Sequence, residues 1–389
     1  MLSSCGKLAE NRKSSPSIIS DVNYNPSIDG QKTTLLGLTR RELEQFAARA
    51  GQPVYRGRQL FEWLYRKCET DFSLMSDLPA EFRQRLHEMA SASPLSIIRR
   101  AEALDGTIKL LLETLDGHKI EAVAIPEGER LTACLSSQAG CALDCRFCAT
   151  ARLGFKCNLT TGEIIAQLFA LEAVNRRRMT NVVMMGMGEP LLNCEAVFKA
   201  VVLITEPTGI GLSHSHFTLS TVGWRPGIEA LIKAVKSKSM PGVKLALSLN
   251  AAHDDQRKAL MPAASRYTID ELLSAAKEYA QISDMPVSIT YLLLAGENDA
   301  LSDARMLAKL AHKYNLKVNL IEYNYIGDIY RRASSTRSEA FFLHLKNAGL
   351  IATLRTSRGT DIAAACGQLA GTNDNNNNDD DDDDNNRFE

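Results

Sequence analysis

The spacing of apolar positions takes three forms along the chain. Residues 35–92 repeat them at intervals of three and four. "LTRRELEQFAARAG" opens on a capping Thr and ends on a Gly, and it predicts a helix; "RGRQLFEWLYRK" and "LPAEFRQRLHEM" predict two more. Over residues 97–125 the period falls to two. There "TIKLLLETLDGHKIEAVAIP" predicts a hairpin turned at Asp116-Gly117. From residue 130 short apolar runs alternate with helical stretches. The runs are "LTACLSS", "NVVMMGMG", "SHFTLST", "VKLALSLN", "VSITYLLL" and "KVNLIEYN". The helix "TGEIIAQLFALEAV" between two of them has Thr160 and Glu163 at capping-box spacing. Six strand-then-helix units predict an α/β fold with a parallel sheet and helices outside. Six units suit a partial (β/α)6 barrel, preceded by a small N-terminal helical domain, better than a flat doubly wound sheet. In such a barrel, chemistry gathers at the C-terminal ends of the strands.

The expected plan is a disordered leader over 1–33, a helical domain over 34–95 that contacts RNA, a strand-rich linker or extension over 96–128, the barrel over 129–371 and an acidic tail over 372–389. The tail "NDNNNNDDDDDDNN" has nothing apolar to bury, so it is expected to be disordered and to have no catalytic role.

Composition adds three constraints. At 45% hydrophobic over 389 residues the chain can bury a large core. It has no run of about 18 apolar residues, so no membrane span is expected. The net charge of −1 conceals an asymmetry: residues 372–389 hold seven Asp, one Glu and one Arg, and without them 44 basic residues face 38 acidic ones, a net of +6. A mildly basic body suits an anionic partner such as RNA, and equally an ordinary solvated surface. Arg56, Arg58, Arg66 and Lys67 on the predicted helices have the same two readings. Nine cysteines, an odd number without a signal-peptide core before them, favour metal or redox chemistry over structural disulfides. A cytoplasmic protein, monomeric, is expected. The Ser-rich N-terminus also reads as an organellar transit peptide.

The chemistry concentrates in "CALDCRFC". Cys141, Cys145 and Cys148 directly follow the first predicted barrel strand, with no fourth cysteine or histidine at a suitable short spacing. Thiolates bind zinc or iron–sulfur clusters. A four-iron cubane on three cysteines keeps one iron for a small bidentate molecule. The alternative is a zinc knuckle completed by Cys134 or Cys157, in a non-catalytic RNA-binding protein.

The C-x3-C-x2-C spacing with Phe147 inside it resembles the radical S-adenosylmethionine (SAM) superfamily. "MMGMGEP" at 184–190 is similar to its SAM-binding element, through Gly188 and Glu189. That resemblance implies a [4Fe-4S] cluster on Cys141, Cys145 and Cys148, with SAM cleaved to a hydrogen-abstracting radical. A narrower resemblance covers about residues 35–371. "CLSSQAGCALDCRFCAT", "VVMMGMGEPLLN", "FTLSTVG", "LALSLNAAHDDQR" and "RTSRGTDIAAACGQLAG" are similar to the dual-specificity adenine-C2 methyltransferases of ribosomal and transfer RNA.

The narrower resemblance implies a route that suits an electron-poor carbon. Cys366 takes a methyl from one SAM, a second SAM yields the radical that activates that methyl, and the carbon adds to C2. Cys134 then releases the product, leaving a Cys134–Cys366 disulfide. It also implies Glu121 as proton acceptor, and Ser220, Ser248, Leu249, Asn250 and Asn324 as SAM-binding positions at successive strand ends. The partners implied are rRNA or tRNA and an electron donor such as flavodoxin or ferredoxin. An adenine presented in a loop, or flipped, is the natural target. Adenine C8 is the alternative target, since a close relative shares the five cysteines.

Two departures stand out. Asn250 occupies a place where the bacterial pattern often has His, and Asn does not titrate near neutrality. "YNYIG" lacks the Pro that the pattern has after Asn324, which bears on substrate fit.

Overall fold

The computed structural model describes residues 32–371. The disorder expected of the leader and of the acidic tail falls outside that range, except that Thr33, counted with the leader, is already in a strand.

β1 (Thr33–Thr34) pairs in parallel with β2 (Ala90–Ser91), and the three predicted helices lie between them. These are α1 (Arg40–Arg49), α2 (Tyr55–Phe61) and α3 (Ala80–Met89). Thr39 and Glu42 close a reciprocal capping box on α1, the pattern expected of "LTRRE". α2 runs on into a π-helical turn over Glu62–Arg66, which places Tyr65 in the core. The Tyr65 hydroxyl donates to the Leu38 carbonyl and accepts from the Gly37 N–H, both at 2.8 Å.

β3 (Leu95–Glu102), β4 (Ile108–Thr114) and β5 (Lys119–Glu127) are antiparallel. The β4–β5 turn falls at Asp116-Gly117, with Gly117 at φ 79°. β6 (Arg130–Cys134) pairs antiparallel with β5 and leads into a small hairpin, β7 (Gln138–Gly140) with β8 (Phe155–Asn158), which brackets the short helix α4 (Ala149–Arg152).

The alternation that follows is regular: α5 (Thr161–Asn175), β9 (Asn181–Met184), α6 (Cys194–Thr205), β10 (Phe217–Thr221), α7 (Arg225–Lys236), β11 (Lys244–Ser248), α8 (Asp254–Leu260), α9 (Ile269–Ser283), β12 (Val287–Leu293), α10 (Leu301–Tyr314), β13 (Lys317–Glu322), α11 (Ser335–Asn347) and β14 (Ala352–Arg355). Thr160 and Glu163 cap α5 as expected.

Among the described residues ten strands form one open sheet, ordered β14-β13-β12-β11-β10-β9-β6-β5-β4-β3. The six expected strands run in parallel, and a seventh, β14, extends them beside β13. Residues 96–128, expected as a strand-rich linker or extension, lie in the same sheet. They carry the barrel sheet onward as three antiparallel strands. β5 lies between two partners, so Glu121 sits on an interior strand and not on an edge. A charge there requires a local partner.

Register divides the sheet chemically. Residues paired across strands share a face, and alternate residues along each strand return to it. One face takes Leu110, Ala122, Ala133, Val182, Leu219, Leu245, Ile289 and Val318, all buried apolar positions. The other face takes Lys109, Glu121, Cys134, Ser220, Ser248, Thr290, Asn319 and Thr353. Eight strands thus place a polar or thiol side chain on this side, with Val183 of β9 the apolar member between Cys134 and β10. Only a face turned toward a ligand or a polar segment tolerates such a row.

Candidate active site

The three-cysteine loop is fixed at its root by a close approach of two backbones. Gly140 has φ +69°, and a Cβ there would lie 1.8 Å from the Gly154 carbonyl oxygen. Only glycine fits. The loop is pinned along its length: Arg146 N–H donates to the Leu260 carbonyl at 3.0 Å, and Ala263 N–H donates to Asp144 Oδ1 at 2.7 Å. Phe147 packs with Leu260, Met261, Leu292, Tyr323 and Tyr330 in a second apolar cluster, against which Cys145 and Cys148 also lie. Burial raises the Cys141 thiol to about 12 and the Cys145 thiol well above its ordinary value; the other thiols of the loop add to both shifts. Thiols raised as Cys141 and Cys145 are ionise only when a cationic group offsets their charge.

Among the described residues no three His, Cys, Asp or Glu side chains close around one point to hold a single ion. Three thiols on a pinned, largely apolar loop are a donor set that fits an iron–sulfur cluster.

Arg257, which the sequence reading passed over, is 1% exposed. It donates to the Ala264 carbonyl at 2.7 Å and to the Val222 carbonyl. Burial lowers its pKa to about 10, and the nearby Cys145 works in the opposite sense. A buried cation beside the loop favours an anionic thiolate set. The signal was the Arg ending "HDDQR", read only as part of a motif.

Glu189 is buried beside the same loop. Gly188, at φ +94°, brings the chain against Gln138, whose Oε1 accepts from the Glu189 N–H at 2.9 Å. Burial raises the Glu189 pKa, against hydrogen bonds to its carboxylate. Oε1 accepts from Leu191 N–H at 3.0 Å and Oε2 from Val222 N–H at 2.9 Å. A carboxylate has about four acceptor sites, so capacity for an ammonium remains. Gln138 and Asn193 are positioning residues not singled out from the sequence. Asn193 donates to the Ser137 and Leu159 carbonyls at 2.9 and 2.8 Å.

The other expected SAM positions divide. Ser220 and Ser248, on neighbouring strands, bring their hydroxyls to 3.4 Å of each other on the polar face. Leu249 is fully buried. Asn250 has φ +57°, a conformation Asn tolerates better than most residues. Its Oδ1 accepts from Leu292 N–H at 3.0 Å, so the side chain ties two strand ends together. Asn324 donates through Nδ2 to the Cys366 carbonyl at 3.2 Å.

The structure brings the remaining candidates together through one segment. Residues 365–371 return across the polar face. Gly367 O accepts from Ala149 N–H at 2.8 Å and Leu369 O accepts from Thr150 Oγ1 at 2.7 Å, which ties the segment to the turn after Cys148. At the far side Glu121 Oε2 accepts from Ala370 and Gly371 N–H at 2.7 and 3.0 Å, while Oε1 meets Lys109 Nζ at 2.9 Å. Cys366 is exposed, and desolvation pushes its thiol up to about 11; Cys148 adds to the shift and Arg355 opposes it. Cys134 is buried, and burial raises it to about 12 with the Cys366 charge adding. The two thiols therefore feel each other, and neither is bridged. Lys109, which also donates to the Ala363 carbonyl at 3.1 Å, was hidden in the apolar run "TIKLLLET".

An open parallel barrel with a three-cysteine loop after its first strand, a Gly-Glu-Pro turn after its second and a polar concave face defines the class of radical SAM enzymes. Residues 135–311 match the radical SAM superfamily. Residues 33–92 match the family described as ribosomal RNA large subunit methyltransferase N-terminal domain. A probable dual-specificity RNA methyltransferase RlmN from Moorella thermoacetica is 45% identical over 345 residues, covering 86% of this chain and 96% of the relative. A dual-specificity RNA methyltransferase RlmN from Syntrophobacter fumaroxidans is 42% identical over 334 residues, covering 85% and 96%. The crystal structure of a radical SAM methyltransferase from Sphaerobacter thermophilus superposes with a TM-score of 0.83 at 40% identity, covering 87% of this chain and all of that one. The chain belongs to the RlmN family of radical SAM dual-specificity RNA methyltransferases. No helix among the described residues is long and apolar enough to cross a membrane.

Proposed function

We propose that the chain methylates C2 of adenosine in rRNA and in tRNA, with Cys366 as methyl carrier and Cys134 as the thiol that releases the product. The supporting observation is the path of residues 365–371, which join the turn after Cys148, Asn324 and Glu121 while holding Cys366 within electrostatic reach of Cys134.

Cys141, Cys145 and Cys148 hold the cluster in this reading, and Glu189, Ser220, Ser248 and the Asn250 turn frame the place for SAM. When bound, these groups supply the one-electron bond cleavage that makes an unreactive C–H bond abstractable. The protein's own residues do the rest. Cys366 Sγ carries the one-carbon unit, and Arg355 favours the thiolate that accepts it. The carried carbon, a radical once it has lost a hydrogen, bonds to C2; the adduct then gives up its odd electron to a one-electron acceptor, and the C2 proton passes to the lone pair left on Glu121 Oε1. Cys134 Sγ then attacks Cys366 Sγ. The S–S bond forms as the S–C bond breaks, and the electron pair goes to the departing carbon, which takes a proton. A dithiol reductant restores both thiols. A one-electron donor such as flavodoxin or ferredoxin serves a monomer.

The test is anaerobic incubation of the reconstituted chain with rRNA, tRNA and labelled SAM, followed by nucleoside mass spectrometry. C366A is expected to abolish transfer, and full activity in that variant refutes the carrier role. C134A is expected to accumulate a covalent protein–RNA species, and its absence under turnover removes the resolving role. A label at C8 overturns the regiochemistry.

A further inference from the structure

Beyond β13 the chain forms a turn that the reaction above does not use. Tyr325 is 58% exposed and Ile329 84% exposed. Yet the turn is held from several sides. Arg152 donates to the Ile326 carbonyl at 2.7 Å and pairs with Asp328 at 3.6 Å. The Tyr323 hydroxyl donates to Asp328 Oδ1 at 2.6 Å. Arg332 donates to the Tyr323 carbonyl at 2.9 Å and to Asn324 Oδ1 at 3.2 Å. Gln368 Nε2 donates to the Tyr325 carbonyl at 3.1 Å, two residues from Cys366. Tyr325 is thus an exposed aromatic ring on a fixed backbone.

Tyr323, Tyr325, Arg331 and Arg332 line an open recess of about 560 Å³. The Arg331 guanidinium carbon stands 5.2 Å from the centre of the Tyr325 ring. Its Nη1 donates to the Asp328 and Tyr330 carbonyls at 2.8 and 2.9 Å, which holds the arginine in place. A ring ready to stack and a cation with no acidic partner among the described residues are the two elements that recognise unpaired RNA: the ring meets a base face and the cation meets phosphate. The recess falls within the size range of small-ligand sites.

We propose that Tyr325 and Arg331 form a nucleotide subsite beside Cys366, in which Tyr325 stacks on an unpaired base flanking the target adenosine and Arg331 meets its phosphate. This rests on the reading that RNA is the substrate. The Asn324 and Gln368 bonds to the Cys366 segment then fix the distance between the stacked base and the thiol. The subsite gives this chain its register on the RNA loop.

The test uses the full chain and an RNA hairpin that the wild type methylates, with 2-aminopurine replacing each unpaired base next to the methylated adenosine in turn. Wild type is expected to quench one of these probes on binding. Y325F and Y325W should retain the quench. Y325A should lose it, bind about 5- to 150-fold more weakly and raise KM for RNA. R331A should weaken binding to all RNA sequences alike and reduce the salt dependence by about one phosphate contact. If wild type binds and quenches while Y325A does the same with unchanged affinity, the subsite is refuted and the RNA reading stands. If wild type binds neither rRNA nor tRNA hairpins, both fall.

Discussion

Glu121 holds the chain segment that carries the reactive thiol, and hydrogen exchange in E121Q reads that hold apart from the residue's proposed part in proton transfer. The carboxylate is 3% exposed and serves two sets of donors: Lys109 on one oxygen, and the Ala370 and Gly371 amides on the other. Glutamine offers one acceptor oxygen and an NH2. If the oxygen faces the amides, the NH2 meets the Lys109 ammonium; if it faces Lys109, two N–H groups meet an NH2 group. Either orientation loses at least one charge-assisted bond, at about 1.5–3 kcal/mol each, and leaves a poorly hydrated donor. Lys109 is 16% exposed and keeps the Ala363 carbonyl, which moderates the penalty for an unpaired charge. A net weakening of about 3 kcal/mol is expected, or about 100-fold in the local opening equilibrium. Hydrogen exchange at Ala370 and Gly371 in the full chain reads it directly. Exchange in E121Q within twofold of wild type refutes the latch. The double variant K109M/E121L separates the latch from stability. An apolar pair in place of a buried ion pair costs little overall, so its unfolding midpoint should approach wild type. The two amides should still exchange fast, because leucine accepts nothing.

Other consequences are equally direct. G140A places a methyl group 1.8 Å from the Gly154 oxygen at a positive φ, so it should lower the iron bound per chain after anaerobic reconstitution; unchanged iron content contradicts the loop geometry. G162A drives a Cβ to 2.3 Å from the Leu36 oxygen, where the N-terminal helical domain meets α5, and should cost about 1–3 kcal/mol in denaturant unfolding. Burial opposes ionisation of Glu42, but its bonds to Lys199 and Thr39 hold its pKa below 4.5. The stability this adds is complete above pH 4.5 and disappears as pH falls through the lowered value. The stability difference between wild type and E42Q should therefore shrink in acid, and a difference constant from pH 7 to 3 argues against the assignment.

The apolar pattern made the main elements legible. Period and punctuation located the three N-terminal helices, the Asp116-Gly117 hairpin and six alternating strands, because burial of one face imposes period on sequence. Motif chemistry made the three-cysteine loop and the Gly-Glu-Pro turn legible, since few side chains hold iron. β14 escaped notice because "ATLR" is short and lies beside the polar "RTSRGT" stretch. The positioning residues escaped as well. Gln138, Asn193 and Lys109 are ordinary polar residues until folding buries them.

Local sequence determined which segments are helix or strand and which side chains can carry thiol chemistry, since those properties depend on near neighbours. The three-dimensional arrangement decided what meets what. Strand register assembled a polar face from residues 109 to 353, and long-range hydrogen bonds brought Glu121 to residues 370 and 371 and Asn324 to Cys366. Such pairings depend on how strands order themselves in the sheet. A partner some 250 positions away leaves no periodic trace near either residue.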